Sequence, residues 1–231
     1  MRIIVNHLTR MQPGYICVAG VDVSNGHHVR PILRGRLTTD LLASKGGPFD
    51  LAALVDLGTV ECCGHAPETE DYYFDPRTVH SIRLLPPALF WEFLQHIARN
   101  SLAQIFGSAL RPFRRGCVVD LDSGEASLGC LVPAVTPRLY VNDYGKIRAL
   151  IRDCDFSFDL SVTDLRLYDT DHRSPKIDLI KRIDTQMRSR GRVILSLGLA
   201  RPWQHPDDTA QRHWLQVNNI HLEDGAVWPL K

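Results

Sequence analysis

The stretch RHWLQVNNIHLED, from Arg212 to Asp224, alternates large apolar residues with polar side chains. A period of two is typical of a β-strand with one face buried. The alternation shifts by one residue at the adjacent pair Asn218 and Asn219, and adjacent Asn residues often satisfy buried backbone groups at a bulge or turn. The stretch therefore predicts a strand whose polar row either seals the fold or binds a ligand.

The segments before this strand give the order of elements in the second half of the chain. RVILSLGLARPW reads as a strand, and SPKIDLIKRIDTQMRSRG reads as a helix with Ser174 as N-cap, Pro175 at the first position and Gly191 as its stop. The predicted buried stripe of this helix is Ile177, Ile180, Ile183 and Met187. FSFDLSVTDLRLYD is predicted as a long strand with a bulge near Thr163 and Asp164, and a hairpin is predicted around Asp143, Tyr144 and Gly145.

The first half of the chain also begins with strands. MRIIVNHLTR is predicted as a strand, and a hairpin is predicted at roughly residues 14 to 33, because Asn25-Gly26 accepts the positive φ angles of a tight turn. PETEDYYFDP, residues 67 to 76, reads as a solvated loop. PPALFWEFLQHIARNSLAQIFG predicts a core-facing helix that breaks near Asn100 and Ser101.

Strands, one helix and further strands thus occur twice along the chain. In the second half this order matches a five-stranded OB-type barrel with its helix between strands three and four. The sequence predicts a β-rich α+β fold of two tandem OB-like small barrels, each with an accompanying helix. The predicted domains are residues 1–115 and 116–231, packed as one compact module, with the tail AVWPL as an apolar plug.

Bulk composition limits the classes of function. The chain has 231 residues, 44% of them hydrophobic, which is ample for a core, and a net charge of only +1 excludes bulk electrostatic capture of nucleic acid. Of the 27 basic residues 22 are Arg, either because the genome is GC-rich or because planar donor forks suit phosphates and base edges. The six cysteines form no CxxC pair, and the chain shows no apolar leader and no long apolar run. We therefore expect a reduced, cytoplasmic protein without a membrane partner.

Several motifs, taken together and in order along the chain, resemble the dual OB domain proteins of prokaryotes. The motifs are MRIIVNHLTRMQPGYICVAG, GGPFD, ED before YYF, FW, ASLGC, SVTDLRLYD, LGLARPW and HWLQVNNIHL. The resemblance implies two OB units in one module that binds nucleic acid in a repair or defence setting. It places His7, Thr9 and Arg10 in the first motif, Arg201 and Trp203 in the motif after the second helix, and Gln216, Asn218, Asn219 and His221 in the last strand.

These residues also have the chemistry of a nucleic-acid site. Arg10 and Arg201 offer guanidinium groups to phosphate, Trp203 and Trp214 offer stacking faces, and amide or imidazole groups reach base edges. The predicted nucleic-acid-binding residues are His7, Thr9, Arg10, Arg201, Trp203, Trp214, Gln216, Asn218, Asn219 and His221. Structural alternatives remain for each motif: HLTR as a strand end, LARPW as a link between barrels, and the Asn pair as a bulge.

Other polar clusters carry weaker signals. The basic runs RPFRR (Arg111 to Arg115) and RSRGR (Arg188 to Arg192) read as solvated faces or as a track for a nucleic-acid backbone. TDLRLYDTDH has carboxylates that could hold Mg²⁺, but it reads better as a capping loop before a helix. CCGH, from Cys62 to His65, does not have zinc-finger spacing. No enzyme motif occurs, so we expect no catalytic residue, no metal and no cofactor.

The sequence therefore predicts a non-catalytic module that binds single-stranded or structured RNA or DNA. The alternative is a scaffold or adaptor subunit that binds a protein partner in a larger complex, which the near-neutral charge favours. A nucleotide sensor or a Mg²⁺-dependent nuclease is a minor alternative.

Overall fold

The computed structural model describes residues 1–189, 191–206 and 208–225, and the predicted apolar tail AVWPL lies outside these described residues. The α-helices are α1 (Pro87–Ile97), α2 (Leu102–Phe106) and α3 (Ile177–Ser189). The strands are β1 (Arg2–Arg10), β2 (Tyr15–Asp22), β3 (His28–Ile32), β4 (Leu37–Thr38), β5 (Ala53–Asp56), β6 (Val60–Cys62), β7 (Asp71–Phe74), β8 (His80–Leu84), β9 (Arg111–Phe113), β10 (Gly116–Asp120), β11 (Leu128–Leu131), β12 (Arg138–Val141), β13 (Ile147–Asp153), β14 (Phe156–Val162), β15 (Val193–Leu199), β16 (Trp203–Gln204) and β17 (Gln211–Leu222).

Strands β1 to β8 form one sheet, which we call the N-terminal sheet. Its strand order is β6-β7-β3-β2-β1-β5-β8, with β4 paired to β2. Strands β2 and β3 form the predicted hairpin, with Gly26 at φ 76° in the turn. This hairpin is confirmed, because Gly adopts a positive φ without the steric cost that a Cβ brings.

Strands β9 to β17 form the C-terminal sheet. Its main order is β11-β15-β17-β14-β13-β12, while β10 and β16 also pair with β17. The long strand β17 therefore has neighbours along both of its edges. Its register against β15 shifts between Ser196 and Leu197, opposite Asn218, and this confirms the predicted bulge.

The buried hydrophobic residues of the described chain form three clusters, one under each sheet and one between the two sheets. The cluster between the sheets consists of Ala52, Leu85, Phe90, Trp91, Leu94, Cys130 and Ile194. Helix α1 supplies its aromatic residues, whereas α2 packs Leu102 and Phe106 into the cluster of the C-terminal sheet. The predicted break between the two helices is confirmed, and Ser101 caps α2 by accepting a hydrogen bond from the backbone N–H of Gln104.

Two predictions about local structure are wrong. Strand β14 ends at Val162, and a 3-10 turn at Leu165–Leu167 replaces the predicted continuation with a bulge. Leu165 packs into the cluster under the N-terminal sheet and Leu167 into the cluster under the C-terminal sheet, so the alternating apolar residues serve two cores. Helix α3 begins at Ile177 rather than Pro175, and Ile177 is exposed instead of joining the buried stripe.

The acidic stretch at residues 67 to 76 is a structural element rather than a solvated loop. Glu68, Glu70 and Asp71 are buried. The Glu70 carboxylate accepts hydrogen bonds from the backbone N–H groups of Ser127 and Leu128, at 2.7 and 3.1 Å. A buried carboxylate needs such donors. Because the donors of Glu70 lie in the second half of the chain, the carboxylate links the two halves.

The prediction of a β-rich α+β fold is confirmed at the level of its strands and helices. Closure of each sheet into a separate small barrel, and domain limits at residues 115 and 116, stay predictions. Within the described residues, no helix combines the length and apolar character needed to cross a membrane.

Candidate functional site

Four aromatic rings gather at one end of the C-terminal sheet, and we call them the aromatic face: Phe113, Trp203, His205 and Trp214. The ring centroids of Trp203 and Trp214 are 6.0 Å apart, and His205 lies 5.5 Å from Trp203. Phe113 completes the row at 5.7 Å from Trp214. Pairs at these distances contact one another, so the four rings form one continuous surface.

Local strand pairing positions the two indoles. Trp203 lies opposite Arg212 in the pairing of β16 with β17, and Trp214 follows two residues later along β17. The indole N–H of Trp214 donates a hydrogen bond to the backbone carbonyl of Trp203 at 3.2 Å. Trp203 is 51% exposed, which is high for so large an apolar side chain. Its ring is therefore accessible to a ligand that stacks on it.

Arginines surround this face. The guanidinium carbons of Arg111, Arg114 and Arg212 lie 5.8, 5.7 and 5.0 Å from the ring centroid of Phe113. Cations at such distances are attracted to the electron-rich ring. The surface thus combines stacking groups with positive charge, as proteins that bind single-stranded nucleic acid do.

Two carboxylates reduce the positive charge of the aromatic face. Asp120 accepts hydrogen bonds from Arg111 and Arg212, and Asp208 accepts one from the Nε of Arg212 at 2.8 Å. These hydrogen bonds hold the pKa of Asp120 and the pKa of Asp208 below the usual value. Both carboxylates are therefore ionised at neutral pH, and stacking rather than net charge must supply much of any affinity.

Four of the residues predicted to bind nucleic acid, His7, Asn218, Asn219 and His221, lie instead in a buried contact between β1 and the paired strands β15 and β17. We call this contact the seam; it consists of Asn6, His7, Leu8, Ser196, Asn218, Asn219 and His221. The expectation that His7, Thr9, Asn218, Asn219 and His221 form an accessible binding surface is wrong, because all five are buried. Asn218 and Asn219 contact His7 and Leu8 of β1 and so hold the two sheets together. Thr9 instead donates to the Cys17 carbonyl within the N-terminal sheet.

Asn219 shows how the seam is built. Its side-chain oxygen accepts a hydrogen bond from the Leu8 N–H at 2.7 Å, and its amide donates to the Leu8 carbonyl at 3.1 Å. The hydroxyl of Ser196 lies 2.9 Å from both the Asn6 carbonyl and His221 Nε2. Strand β1 also shifts register at Asn6, so a bulge in each strand lets the two backbones meet.

The remaining predicted residues are separate from one another. Arg10 lies over the ring of Tyr168 at 4.3 Å and donates to the His172 carbonyl, so it joins the first strand to the loop before α3. Arg201 donates to Asp71 at 2.6 Å and lies 3.2 Å from Glu68. It links the two halves, as the structural alternative for LARPW predicts. Gln216 is half-buried.

The weaker polar clusters also have structural partners. Arg188 pairs with Asp184 and Arg192 with Glu223, so these two members of the RSRGR run belong to ion pairs on the surface. In TDLRLYDTDH, Asp164 is fully buried. Neither this stretch nor CCGH contributes to a converging set of metal-binding side chains within the described residues.

One such set exists elsewhere, at the edge of the seam. Donor atoms of His7, His28 and Cys130 all lie within 4.8 Å of one another. Burial holds the pKa of His7 well below its usual value and lowers the pKa of His28 to about 4, so both imidazoles are neutral at pH 7. Burial also raises the pKa of the Cys130 thiol to about 11. The thiol by itself is therefore a poor nucleophile at neutral pH.

Sequence reasoning found Trp203 and Trp214 but missed Phe113 and His205. The signal for Phe113 was its place inside the basic run RPFRR, where an aromatic residue stands among three arginines and a proline. The signal for His205 was its position two residues after Trp203. An aromatic residue among arginines indicates stacking as well as charge. The run RPFRR is therefore better described as a segment with both stacking and cationic side chains than as a basic run alone.

Fold and site together define a class of protein: a strand-rich, two-sheet module with an exposed aromatic and arginine surface on its second sheet. The family model of the Dual OB-containing domain matches residues 1–220, and the chain belongs to this family. Comparison with curated proteins finds no match.

Proposed function

We propose that the protein is a non-catalytic, cytoplasmic module that binds single-stranded nucleic acid on its aromatic face. The observation that carries the proposal is the continuous row of Trp203, His205, Trp214 and Phe113, bordered by arginines. Every nucleobase has a flat apolar face that stacks on such rings, but only an unpaired base presents it. Membership of a dual OB family supports the same class of ligand.

The number of rings in the aromatic face and the arginines beside them determine what kind of nucleic acid the face can bind. Four rings in contact accommodate a short single-stranded segment. Arg114, whose guanidinium lies 5.7 Å from the Phe113 ring, and its neighbour in sequence Arg115 are both exposed and offer positive charge to a phosphate backbone. The proposal does not distinguish RNA from DNA, because neither the rings nor the guanidinium groups require a 2′-hydroxyl. A setting in prokaryotic repair or defence follows from the resemblance of the motifs alone.

Fluorescence anisotropy of labelled oligonucleotides tests the proposal. We expect single-stranded oligonucleotides to bind more tightly than the matching duplex, and the double variant Trp203→Ala, Trp214→Ala to lose about 1–3 kcal/mol for each stacked base. Tyr144→Ala is the matched control, because Tyr144 is an 85% exposed aromatic residue in the β12–β13 turn, away from the aromatic face. Equal binding by both variants, or no binding at low salt, rejects the proposal.

A second candidate is a scaffold that binds a protein partner on the same face. The pairing of Arg111 and Arg212 with Asp120, together with a net charge of +1, favours it. Exposed tryptophan and arginine side chains are frequent at the centres of protein interfaces. Affinity capture with the full chain distinguishes the candidates: a stoichiometric protein partner lost in the Trp203→Ala, Trp214→Ala variant, without bound nucleic acid, supports the scaffold.

A further inference from the structure

The convergence of His7, His28 and Cys130 is a feature that the proposed function does not use. The two histidines come from β1 and β3 of the N-terminal sheet, and Cys130 comes from β11 of the C-terminal sheet. Their donor atoms lie within 4.8 Å of one another. Two imidazoles and one thiol so close together form a set that transition metals bind.

The ring of His7 provides an independent sign of a missing ligand. His7 is 1% exposed, and its Nδ1 lies 3.1 Å from the side-chain amide of Asn218. Its other nitrogen, Nε2, is buried and lacks a hydrogen-bond partner among the described residues. Whichever tautomer the ring adopts, one polar atom is left unsatisfied, and native proteins rarely leave such an atom buried.

We propose that His7, His28 and Cys130 bind one Zn²⁺ ion at the junction of the two sheets. Zinc bonds of about 2.0–2.1 Å to nitrogen and about 2.3 Å to sulfur place tetrahedral ligand atoms roughly 3.3–3.7 Å apart. No ligand separation therefore has to shorten by more than about 1.5 Å, which rotation of the side chains supplies. Binding would use the Nε2 atom of His7 that is otherwise unpartnered.

The surrounding side chains are suited to hold these ligands. With zinc on Nε2, His7 Nδ1 carries a hydrogen and donates it, as the second nitrogen of a metal-bound histidine does. The Asn218 amide lies 3.1 Å from this Nδ1, and a flip of the amide, which exchanges its nitrogen and oxygen, places the oxygen there as the acceptor. The amide of Asn6 donates to Cys130 Sγ at 3.2 Å, and such a hydrogen bond stabilises a thiolate. A Cβ at Gly198 would lie 2.3 Å from the Asn218 amide, so glycine at this position makes room for that side chain.

The site has access to solvent through a cleft. His28 and Cys130 line this cleft of about 500 Å³, whereas His7 is not among its lining residues. The cleft is largely polar, and its wall also carries His27, His96 and Arg99. Zinc can therefore enter from the cleft. Three protein ligands leave one coordination position, which faces the cleft and is available to water or a small anionic ligand.

The sequence predicts no metal site because its ligands occupy separate strands of two sheets. None of the three lies in a short motif with finger-like spacing, and Cys130 reads as a buried small hydrophobe. Only the contact between the sheets brings Cys130 to the histidines. The site does not overlap the aromatic face, so the zinc proposal and the nucleic-acid proposal succeed or fail separately.

Elemental analysis and Co²⁺ spectroscopy of the full chain test the zinc proposal. We expect one zinc per chain after incubation with equimolar Zn²⁺ and gel filtration. Co²⁺ should produce a thiolate-to-metal charge-transfer band and the intense d–d bands of a tetrahedral site. Cys130→Ser should remove the charge-transfer band, and Asn218→Ala should weaken binding about 10–100-fold through the His7 ring.

Matched variants exclude unspecific effects. Cys154→Ser and His80→Gln change an exposed cysteine and an exposed histidine of β8 that does not line the cleft, and both should keep zinc and the cobalt spectrum. Far-UV circular dichroism identifies any variant that fails to fold, and the spectrum of the unaltered protein decides the question without a variant. Absence of stoichiometric zinc, a cobalt complex without the charge-transfer band, or a Cys130→Ser spectrum equal to that of Cys154→Ser would overturn the proposal.

Discussion

The guanidinium of Arg166 donates two hydrogen bonds to the carboxylate of Asp164, at 2.9 and 2.6 Å, and both side chains are almost completely buried. The pair also binds strand β17, since Asp164 accepts from the Ile220 N–H at 3.1 Å and Arg166 donates to the Ile220 carbonyl at 2.8 Å. The stretch TDLRLYDTDH, whose carboxylates offer a minor alternative as Mg²⁺ ligands, thus contains a buried ion pair that fixes a turn to the last strand.

Removal of one partner of this pair should strongly destabilise the protein. Arg166→Met leaves the Asp164 carboxylate buried without its cation, and we expect the free energy of unfolding to fall by about 3–5 kcal/mol. Urea denaturation followed by circular dichroism measures the change. Arg77→Met is the control, because Arg77 pairs with Asp75 on the surface, where water and salt screen the pair and its loss has little effect on stability. Similar losses in the two variants would contradict the assignment.

The seam predicts a second effect on stability. Asn219→Ala removes the groups that bind both backbone atoms of Leu8, and each buried group left unpaired costs about 1–3 kcal/mol. Thermal unfolding should therefore begin at a clearly lower temperature. Asn100→Ala, at an exposed position between α1 and α2, should leave the transition unchanged. An Asn219→Ala protein as stable as the control would show that the seam does not hold the sheets.

The exposed arginines Arg114 and Arg115 lead us to expect that nucleic-acid binding depends on the salt concentration. If Arg114 and Arg115 each contact one phosphate, replacing both with Gln should weaken binding of a single strand. It should also lower the slope of log K against log salt by about 0.7 for each lost contact. Titrations at several salt concentrations measure this slope. Arg173→Gln, in the loop before α3, should keep the slope of the unaltered protein. An unchanged slope in the double variant would exclude these two contacts.

Asp171 predicts a dependence of stability on acidity. Hydrogen bonds from the Ser174 hydroxyl and the backbone N–H groups of Ser174 and Arg173 lower the pKa of Asp171 from its ordinary value of 3.8 to about 2. Because the folded pKa is depressed, the stabilising contribution is complete above pH 3.8 and disappears as the pH falls towards about 2.

The variant Asp171→Asn should therefore show a smaller loss of stability than the unaltered protein across this acid range. Unfolding in urea at a series of pH values provides the comparison. Asp143→Asn, in the exposed β12–β13 turn, should follow the unaltered protein. Parallel curves for all three proteins would show that the loop hydrogen bonds do not affect stability.

Local signals allowed much of the fold to be predicted from the sequence. The Asn25-Gly26 turn, the helix break before Ser101 and the bulge at Asn218 each depend on residues close together in the chain. The end of β14 could not be predicted in this way. Alternation continues through Leu165 and Leu167, but the two residues enter different cores, and periodicity does not reveal that two cores meet there.

The candidate site was only partly predictable for a related reason. Trp203 and Trp214 were identified from their stacking side chains, and the pairing of β16 with β17 brings them together. Asn218 and Asn219 have the same polar character as a binding surface, but β1 covers them. An alternating pattern shows which side chains share a face of a strand and gives no information about whether solvent or another strand lies against that face.

The bond between Leu8 and Asn219 also affects how the chain folds during its synthesis. The two residues are separated by 211 positions, so the ribosome completes the first sheet long before it adds the residue that satisfies Leu8. Contacts between such distant residues slow folding and leave the early part of the chain exposed to misassembly. The backbone N–H of Leu8 therefore gains its hydrogen-bond partner only after the last strand has been synthesised and has folded against β1.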